Sequence, residues 1–295
     1  MKQYKNILDR NDLKVNKYTI KGKSTIVDTD TGRFVLKQNK GNKIYNYLIS
    51  RNFKYFPKIL DSDNNINMFE YLDSIDYDND LKAFDLIHII SLLHSKTTYY
   101  KEVDYDEYKR LYENLKEQID YINNYYLDII NMIESKIYMS PSEYLISRNI
   151  SKIFSCIYYC NNELEKFYDI TKDKKRKRVV TLHNNLKLDN LLKNENIYLI
   201  SWDKSKVDLP IYDLVSFYNI YALDFDFSTL FEEYERIFPL LEEEKILMNI
   251  LISIPEKIQI TYNEYDMVKN VRKMLDKIFK TEKLLTSKEK ETTSA

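Results

Sequence analysis

Short apolar runs parted by polar turns open the chain. Residues 18–20, 25–27 and 33–37 carry β-branched or aromatic side chains, bounded by Gly22 and by the polar stretch 28–32, where Thr31-Gly32 suits a tight hairpin. The pattern predicts three strands joined by turns. Residues 42–52 place Ile44, Leu48 and Tyr47 on one face at helical spacing. Strands are expected again at 56–60 and 66–72, on either side of a turn at 61–65. Beyond them the period is helical. An amphipathic helix covers 84–94 and ends in Leu92-Leu93-His94-Ser95. A charged, tyrosine-rich helix covers 105–136, and another runs from 140 to about 168. Ser140, Pro141 and Glu143 open that last one with a cap, a first-turn proline and a capping-box glutamate. Two strands, 179–182 and 197–200, interrupt the helices, which resume at 211–223, 227–238, 242–254 and 263–280. Residues 286–295 are polar, lack aromatics and are expected to be disordered. Strands first and helices afterwards make an α+β protein.

Composition narrows the picture in a few places. With a net charge of −1 over 295 residues there is no global basic field, so nucleic acid is not an expected partner. The 27 tyrosines reflect the Lys, Asn, Ile and Tyr usage of an AT-rich genome more than ligand stacking. Residues 172–178 (KDKKRKR) form a basic run, which reads either as a nucleic-acid or nuclear-import segment or as a solvated loop before a strand. The loop is the expectation. Cys156 and Cys160 share a helix face as a metal pair, a disulfide or two small buried thiols, and the thiols are expected. The N-terminal residues are polar, unlike a signal peptide, and no apolar run approaches the ~20 residues of a membrane span. A cytoplasmic protein without membrane partners is the expectation.

Candidate chemistry gathers between residues 179 and 217. The first strand there ends in His183, Asn184 and Asn185, with Asn190 farther along the loop; the second ends in Ser201, Trp202 and Asp203. Strand ends that present polar side chains at a loop are the usual geometry of an active site. The segment resembles the catalytic part of the aminoglycoside phosphotransferase and choline-kinase-like group, relatives of protein kinases. That pattern is His-x-Asp-x4-Asn, an apolar strand, Ile-Asp-Trp/Phe-Glu/Asp and Pro-x-x-Asp-Leu. His183, Asn190, Trp202, Asp203, Pro210, Asp213 and Leu214 fall on it. Asn185 stands where the group has its catalytic-base aspartate, and Ser201 where it has its magnesium aspartate.

The resemblance implies a bilobal protein-kinase-like fold: a small antiparallel N-lobe sheet over residues 1–72, with a hinge near 69–72, and a mainly helical C-lobe over 73–285. Lys37 matches the lysine of the third strand that grips nucleotide phosphates, and Glu70, Tyr71 and Leu72 would meet the adenine edge at the hinge. Asp213 and His183 would hold the catalytic loop in shape. Asn190 and Asp203 would be the remaining metal-side residues. The glycine-rich phosphate loop is reduced to Gly22, and residues 38–60 contain no Asp or Glu to pair with Lys37 from the helix. His88 and His94 are expected to pack rather than react. The helical pair 105–168 would face a substrate or a partner. Residues 243–257 resemble the spore-coat-associated branch of the group.

Those replacements imply a kinase-like protein without kinase chemistry. It would serve as a scaffold, regulator or spore-coat-type protein, able to bind ATP or another nucleotide, with Ser201 speaking against magnesium. One alternative is an active small-molecule kinase for an aminoglycoside, choline or sugar that uses Asp189 or Asp203. Another is a helical protein-interaction module.

Overall fold

The computed structural model describes residues 4–38, 43–63, 66–104 and 106–293. Expected elements reaching residues 42, 64–65, 105 and 294–295 extend at those positions outside the described residues. The chain forms two compact units, residues 1–98 with 181–207, and residues 99–180 with 208–295.

The first unit is built on a five-stranded antiparallel sheet in the order β1-β2-β3-β5-β4. Its strands are β1 (Val15–Lys21), β2 (Ser24–Thr29), β3 (Arg33–Gln38), β4 (Ile59–Asp63) and β5 (Ile66–Glu70). Lys21 pairs with Ser24, so only Gly22 and Lys23 join β1 to β2, and Gly22 takes the positive φ of +57° that this turn needs. β1 is an exposed edge strand whose lysines discourage further pairing. Helix α1 (Lys5–Arg10), which the apolar pattern did not predict, buries Ile7 and Leu8 against Val27, Leu36, Ile66 and Met68 of the sheet.

Helix α2 (Lys43–Ser50) differs from expectation in its phase. Tyr45 and Leu48 are its buried residues, while Ile44 and Tyr47 are half-buried. Tyr45 packs its ring on Phe56 and Phe69, at 5.4 and 5.6 Å between centroids. Helix α3 (Asn79–Thr97) begins earlier than its apolar stripe, because Asp78 accepts hydrogen bonds from the N–H groups of Asp80 and Leu81. His94 is buried on it. The hairpin of β8 (Leu191–Lys193) and β9 (Ile197–Leu199) completes this unit, in the register Leu191↔Leu199.

Residues 74–75 are laced to β8, where Lys193 N–H donates to Ser74 Oγ (3.1 Å) and Ile75 N–H to the Lys193 carbonyl (2.7 Å). The Leu199 N–H likewise donates to the Tyr55 carbonyl at 2.8 Å. These backbone ties hold the β8–β9 hairpin with the sheet.

In the second unit, β6 (Tyr99–Glu102) pairs antiparallel with β7 (Arg176–Leu182), Tyr99 opposite Val179. The basic run is therefore no free loop. Its second half is strand, Lys177 pairs with Glu107, and Arg178 makes a buried ion pair with Glu244. Helices α4 (Glu107–Glu134) and α5 (Pro141–Thr171) pack together, and α5 also packs on α8 (Glu242–Ser253) and α9 (Glu264–Thr293). The capping box at Ser140 and Glu143 forms as its sequence predicts. Helices α6 (Ile211–Tyr221) and α7 (Phe227–Ile237) share an aromatic core of Phe217, Tyr218, Phe227 and Phe231. Where a disordered tail is expected from residue 286, α9 continues to Thr293. Its Lys- and Glu-rich end consists of strong helix formers, which extend a helix already anchored upstream. Both cysteines are free thiols, Cys160 buried and Cys156 half-buried. Among the described residues no helix is long and apolar enough to cross a membrane.

Candidate functional site

The loop after β7 is held by its own polar side chains. His183 is fully buried. Its Nε2 lies 2.8 Å from the Ile200 carbonyl, which can only accept, so the proton sits on Nε2. The ring stands edge-on to Trp202 at 4.8 Å, and Trp202 in turn donates its Nε1–H to the Leu199 carbonyl at 2.8 Å and packs on Phe53. His183 is thus a brace that ties the first strand end to the second. Asn184 adopts a left-handed conformation (φ +57°) and donates from Nδ2 to the Lys204 carbonyl at 3.0 Å. Asn185 is half-buried, and its carbonyl accepts from Asn190 Nδ2 at 2.8 Å. The Ile200 N–H returns a bond to the Asn190 carbonyl. Asn190 therefore stitches both halves of the loop together.

Ser201 also sits in the left-handed region, at φ +70° and ψ +47°. Asp203 lies in the single turn Trp202–Lys204, and its carboxylate is 2.8 Å from Lys37 Nζ on β3. The Lys37 side chain is 12% exposed and that of Asp203 40% exposed. The lysine, which finds no acidic partner on α2, receives one from the far side of the loop. On α2 the nearby group is Tyr45. Burial pushes its phenol pKa well up, and the Asp203 charge adds to the shift. The apolar pattern did not single out Tyr45, because the buried phase of α2 rests on sheet packing that no local signal reports.

At the expected hinge, Glu70 faces back into the sheet. Its carboxylate accepts from the Lys58 N–H at 3.1 Å, and its own N–H donates to the Lys58 carbonyl. Tyr71 lies under the Arg33 guanidinium at 5.5 Å, and Leu72 is half-buried. A polar cluster unseen in the sequence adjoins this segment: Lys193 bonds Asp85 at 3.1 Å, Tyr77 donates to Asp85 at 2.9 Å, and Lys193 stands over the Tyr77 ring. Asp213 belongs to the other unit, where it is fully buried on α6. So Lys37, His183, Asn185, Asn190, Ser201 and Asp203 are gathered within one unit, and Asp213 is not part of that unit.

Among solved structures, an aminoglycoside phosphotransferase from Alicyclobacillus acidocaldarius superimposes over 95% of this chain and 93% of its own, with a TM-score of 0.69 and 8% identity. This chain has the aminoglycoside phosphotransferase fold. The AMP-bound complex of a spectinomycin phosphotransferase matches 97% of this chain and 94% of its own, with a TM-score of 0.51 and 12% identity. A choline kinase from Streptococcus pneumoniae matches at a TM-score of 0.46 and 17% identity, over 97% of this chain and 100% of its own. No protein-family model matches the sequence, and no curated protein is similar to it.

Within the aminoglycoside phosphotransferase fold the metal positions can be tested for fit. Magnesium prefers hard anionic oxygens in octahedral array. Ser201 offers a neutral hydroxyl on a short stem, Asn190 a neutral amide oxygen, and the one carboxylate of the three, Asp203, is engaged by Lys37. This donor set does not fit magnesium. The turn between β1 and β2 holds only Gly22 and Lys23, so it offers no run of successive glycine N–H groups to a phosphate.

Proposed function

We propose that this protein is a kinase-fold pseudokinase that takes a nucleotide at Lys37 without transferring its phosphate, and that it acts as a scaffold or regulator. The observation that carries the reading is the Lys37–Asp203 ion pair, set beside an amide at Asn185 and a hydroxyl at Ser201. Phosphoryl transfer asks a protein for positioning, a metal and charge neutralisation. Asn185 cannot accept a proton from a substrate hydroxyl, and loss of a general base alone is worth ~10²–10⁴ in rate. The scaffolding residues His183, Asn190 and Trp202 keep their structural bonds while the reactive charges are replaced. A spore-coat-type role, a cytoplasmic location and protein partners belong to this proposal, the first supported by the residue 243–257 resemblance.

One observation favours a second reading, an active kinase for an aminoglycoside, choline or sugar. Asp203 brings a carboxylate beside the phosphate-gripping lysine and could act as a relocated metal ligand.

Thermal unfolding with ATP, ADP and GTP, each with and without magnesium, separates the two. A ligand that binds only the folded state adds about 2.7 kcal/mol at a hundred times its Kd. The pseudokinase reading expects a midpoint rise that is the same without magnesium. A rise that requires magnesium supports the enzyme instead, and no rise with any of the three removes the nucleotide from the proposal.

A further inference from the structure

Lys37 and Asp203 both belong to the first unit, and the form of their ion pair bears on how the site is filled. The partners are unequally exposed, the Lys37 side chain at 12% and that of Asp203 at 40%, so the carboxylate lies on the solvent side of the ammonium. The turn that carries Asp203 is fixed by its neighbour. Trp202 is 3% exposed, donates Nε1–H to the Leu199 carbonyl and packs on Phe53. The Asp203 carboxylate, by contrast, has no hydrogen-bond donor besides Lys37 among the described residues. Breaking one contact frees the side chain to turn into water while the backbone stays in place.

A phosphate cannot share the lysine with Asp203 without cost. A terminal phosphate carries about two negative charges at neutral pH. One ammonium, one carboxylate and that phosphate together would leave a cluster of strongly negative charge. Working phosphotransfer sites neutralise phosphate charge with metal ions. The donors here do not fit magnesium, so Asp203 meets an incoming phosphate uncompensated. One anion has to leave, and Coulomb attraction favours the more highly charged phosphate on the lysine.

We infer that Asp203 is an internal latch: its carboxylate holds the place of a ligand phosphate on Lys37 and swings into solvent when a nucleotide phosphate takes the lysine. This rests on the nucleotide function proposed for Lys37 and adds the regulation of that site. It sets the ligand class too, since a nucleoside has no phosphate with which to displace Asp203, whereas a di- or triphosphate does. Only the fraction of molecules with the latch open binds, so the apparent affinity falls by that fraction.

The test is calorimetric titration of the full chain with ADP without magnesium, with adenosine as the control that lacks phosphate. Asp203→Asn should bind ADP about tenfold more tightly than the unsubstituted protein and show no gain for adenosine. In a Lys37→Met background the same substitution should show no comparable gain, because there is no lysine to release. Unchanged or weaker ADP binding by Asp203→Asn overturns the latch. So does an equal gain for adenosine or in the Lys37→Met background, which would reflect only the loss of a nearby negative charge. Binding that requires magnesium and is abolished by Asp203→Asn would make Asp203 a metal ligand and overturns the latch as well. If neither protein binds ADP, the nucleotide function itself falls, and the latch with it. In the unsubstituted protein, crystals grown with ADP and no magnesium should show the Asp203 carboxylate more than about 4 Å from Lys37 Nζ, beyond ion-pair distance. A 2.8 Å contact retained with ADP bound overturns the proposal.

Discussion

The Lys37 ammonium on β3 and the Asp203 carboxylate after β9 meet at 2.8 Å, with the lysine almost nine-tenths buried. Without Asp203 that lysine would be a largely buried charge lacking a counter-ion. The pair explains how the chain tolerates Lys37 although α2 carries no acid. Asp203→Asn should lower stability by about 1–2 kcal/mol, less than a fully buried pair because the carboxylate is partly solvated. Adding Lys37→Met to that variant should recover about half of the loss. Urea unfolding of the three variants checks this; losses that simply add would show that the two charges are not coupled.

Ser201 holds a backbone conformation that short polar residues adopt at little cost and β-branched residues do not. Ser201→Asp should fold normally and make the nucleotide-induced midpoint shift depend on magnesium, because it returns an anionic oxygen beside Asn190 and Asp203. Ser201→Val should cost about 1–3 kcal/mol by strain alone. If Ser201→Asp remains insensitive to magnesium, the loop geometry and not only the missing carboxylate excludes the metal.

Arg178 lies in the strand half of the basic run and is held on all sides. Its Nε donates to Glu244 at 3.0 Å, its Nη2 donates to the Pro239 carbonyl at 2.9 Å, and its guanidinium stacks on Phe238 at 4.2 Å. Glu244 also accepts the Leu241 N–H at the start of α8. Arg178→Ala should destabilise by about 3–5 kcal/mol, since it leaves Glu244 charged and buried. Arg178→Lys should not rescue it, because an ammonium cannot make the forked bond. Chemical denaturation measures both.

The start of α5 carries a pH signature. Glu143 is held below the usual carboxylate range, first by the Lys136 ammonium and then by the Ser140 N–H of the capping box. Glu264 is held low by the Ser142 N–H and hydroxyl. For a depressed carboxylate, the stabilisation is fully present above the unfolded pKa of about 4.3 and is lost as pH falls through the lower folded value. Between pH 5 and pH 3 the protein should therefore lose stability, and Glu143→Gln should lose less of it over the same interval while being weaker at pH 7. A variant whose stability falls as steeply as that of the unsubstituted protein would exclude the role of this carboxylate.

Much of the fold is legible in the chain itself, because local physics decides it. The alternation at residues 25–27 and 33–37, the capping signature Ser140-Pro141-Ser142-Glu143 and the apolar stripes of α4 to α8 each act within a few residues. The candidate positions His183, Asn185, Asn190, Ser201 and Asp203 stand out in the chain because strand ends and spacing mark them. Elements set by distant partners are not legible. Helix α1 exists because Ile7 and Leu8 find the sheet, and β6 because residues 99–102 find β7. The phase of α2 is set by Phe56 and Phe69.

The sequence by itself determined which reactive groups are present at the loop: an amide at Asn185, a hydroxyl at Ser201, a carboxylate at Asp203 and no acid on α2. Side-chain chemistry does not depend on folding. Only the tertiary structure decided what those groups do to one another, because pairing, burial and cavities arise where segments far apart in the chain are brought within a few ångströms. It gave Lys37 its counter-ion, turned His183 into a brace and bound half of a basic run into a strand.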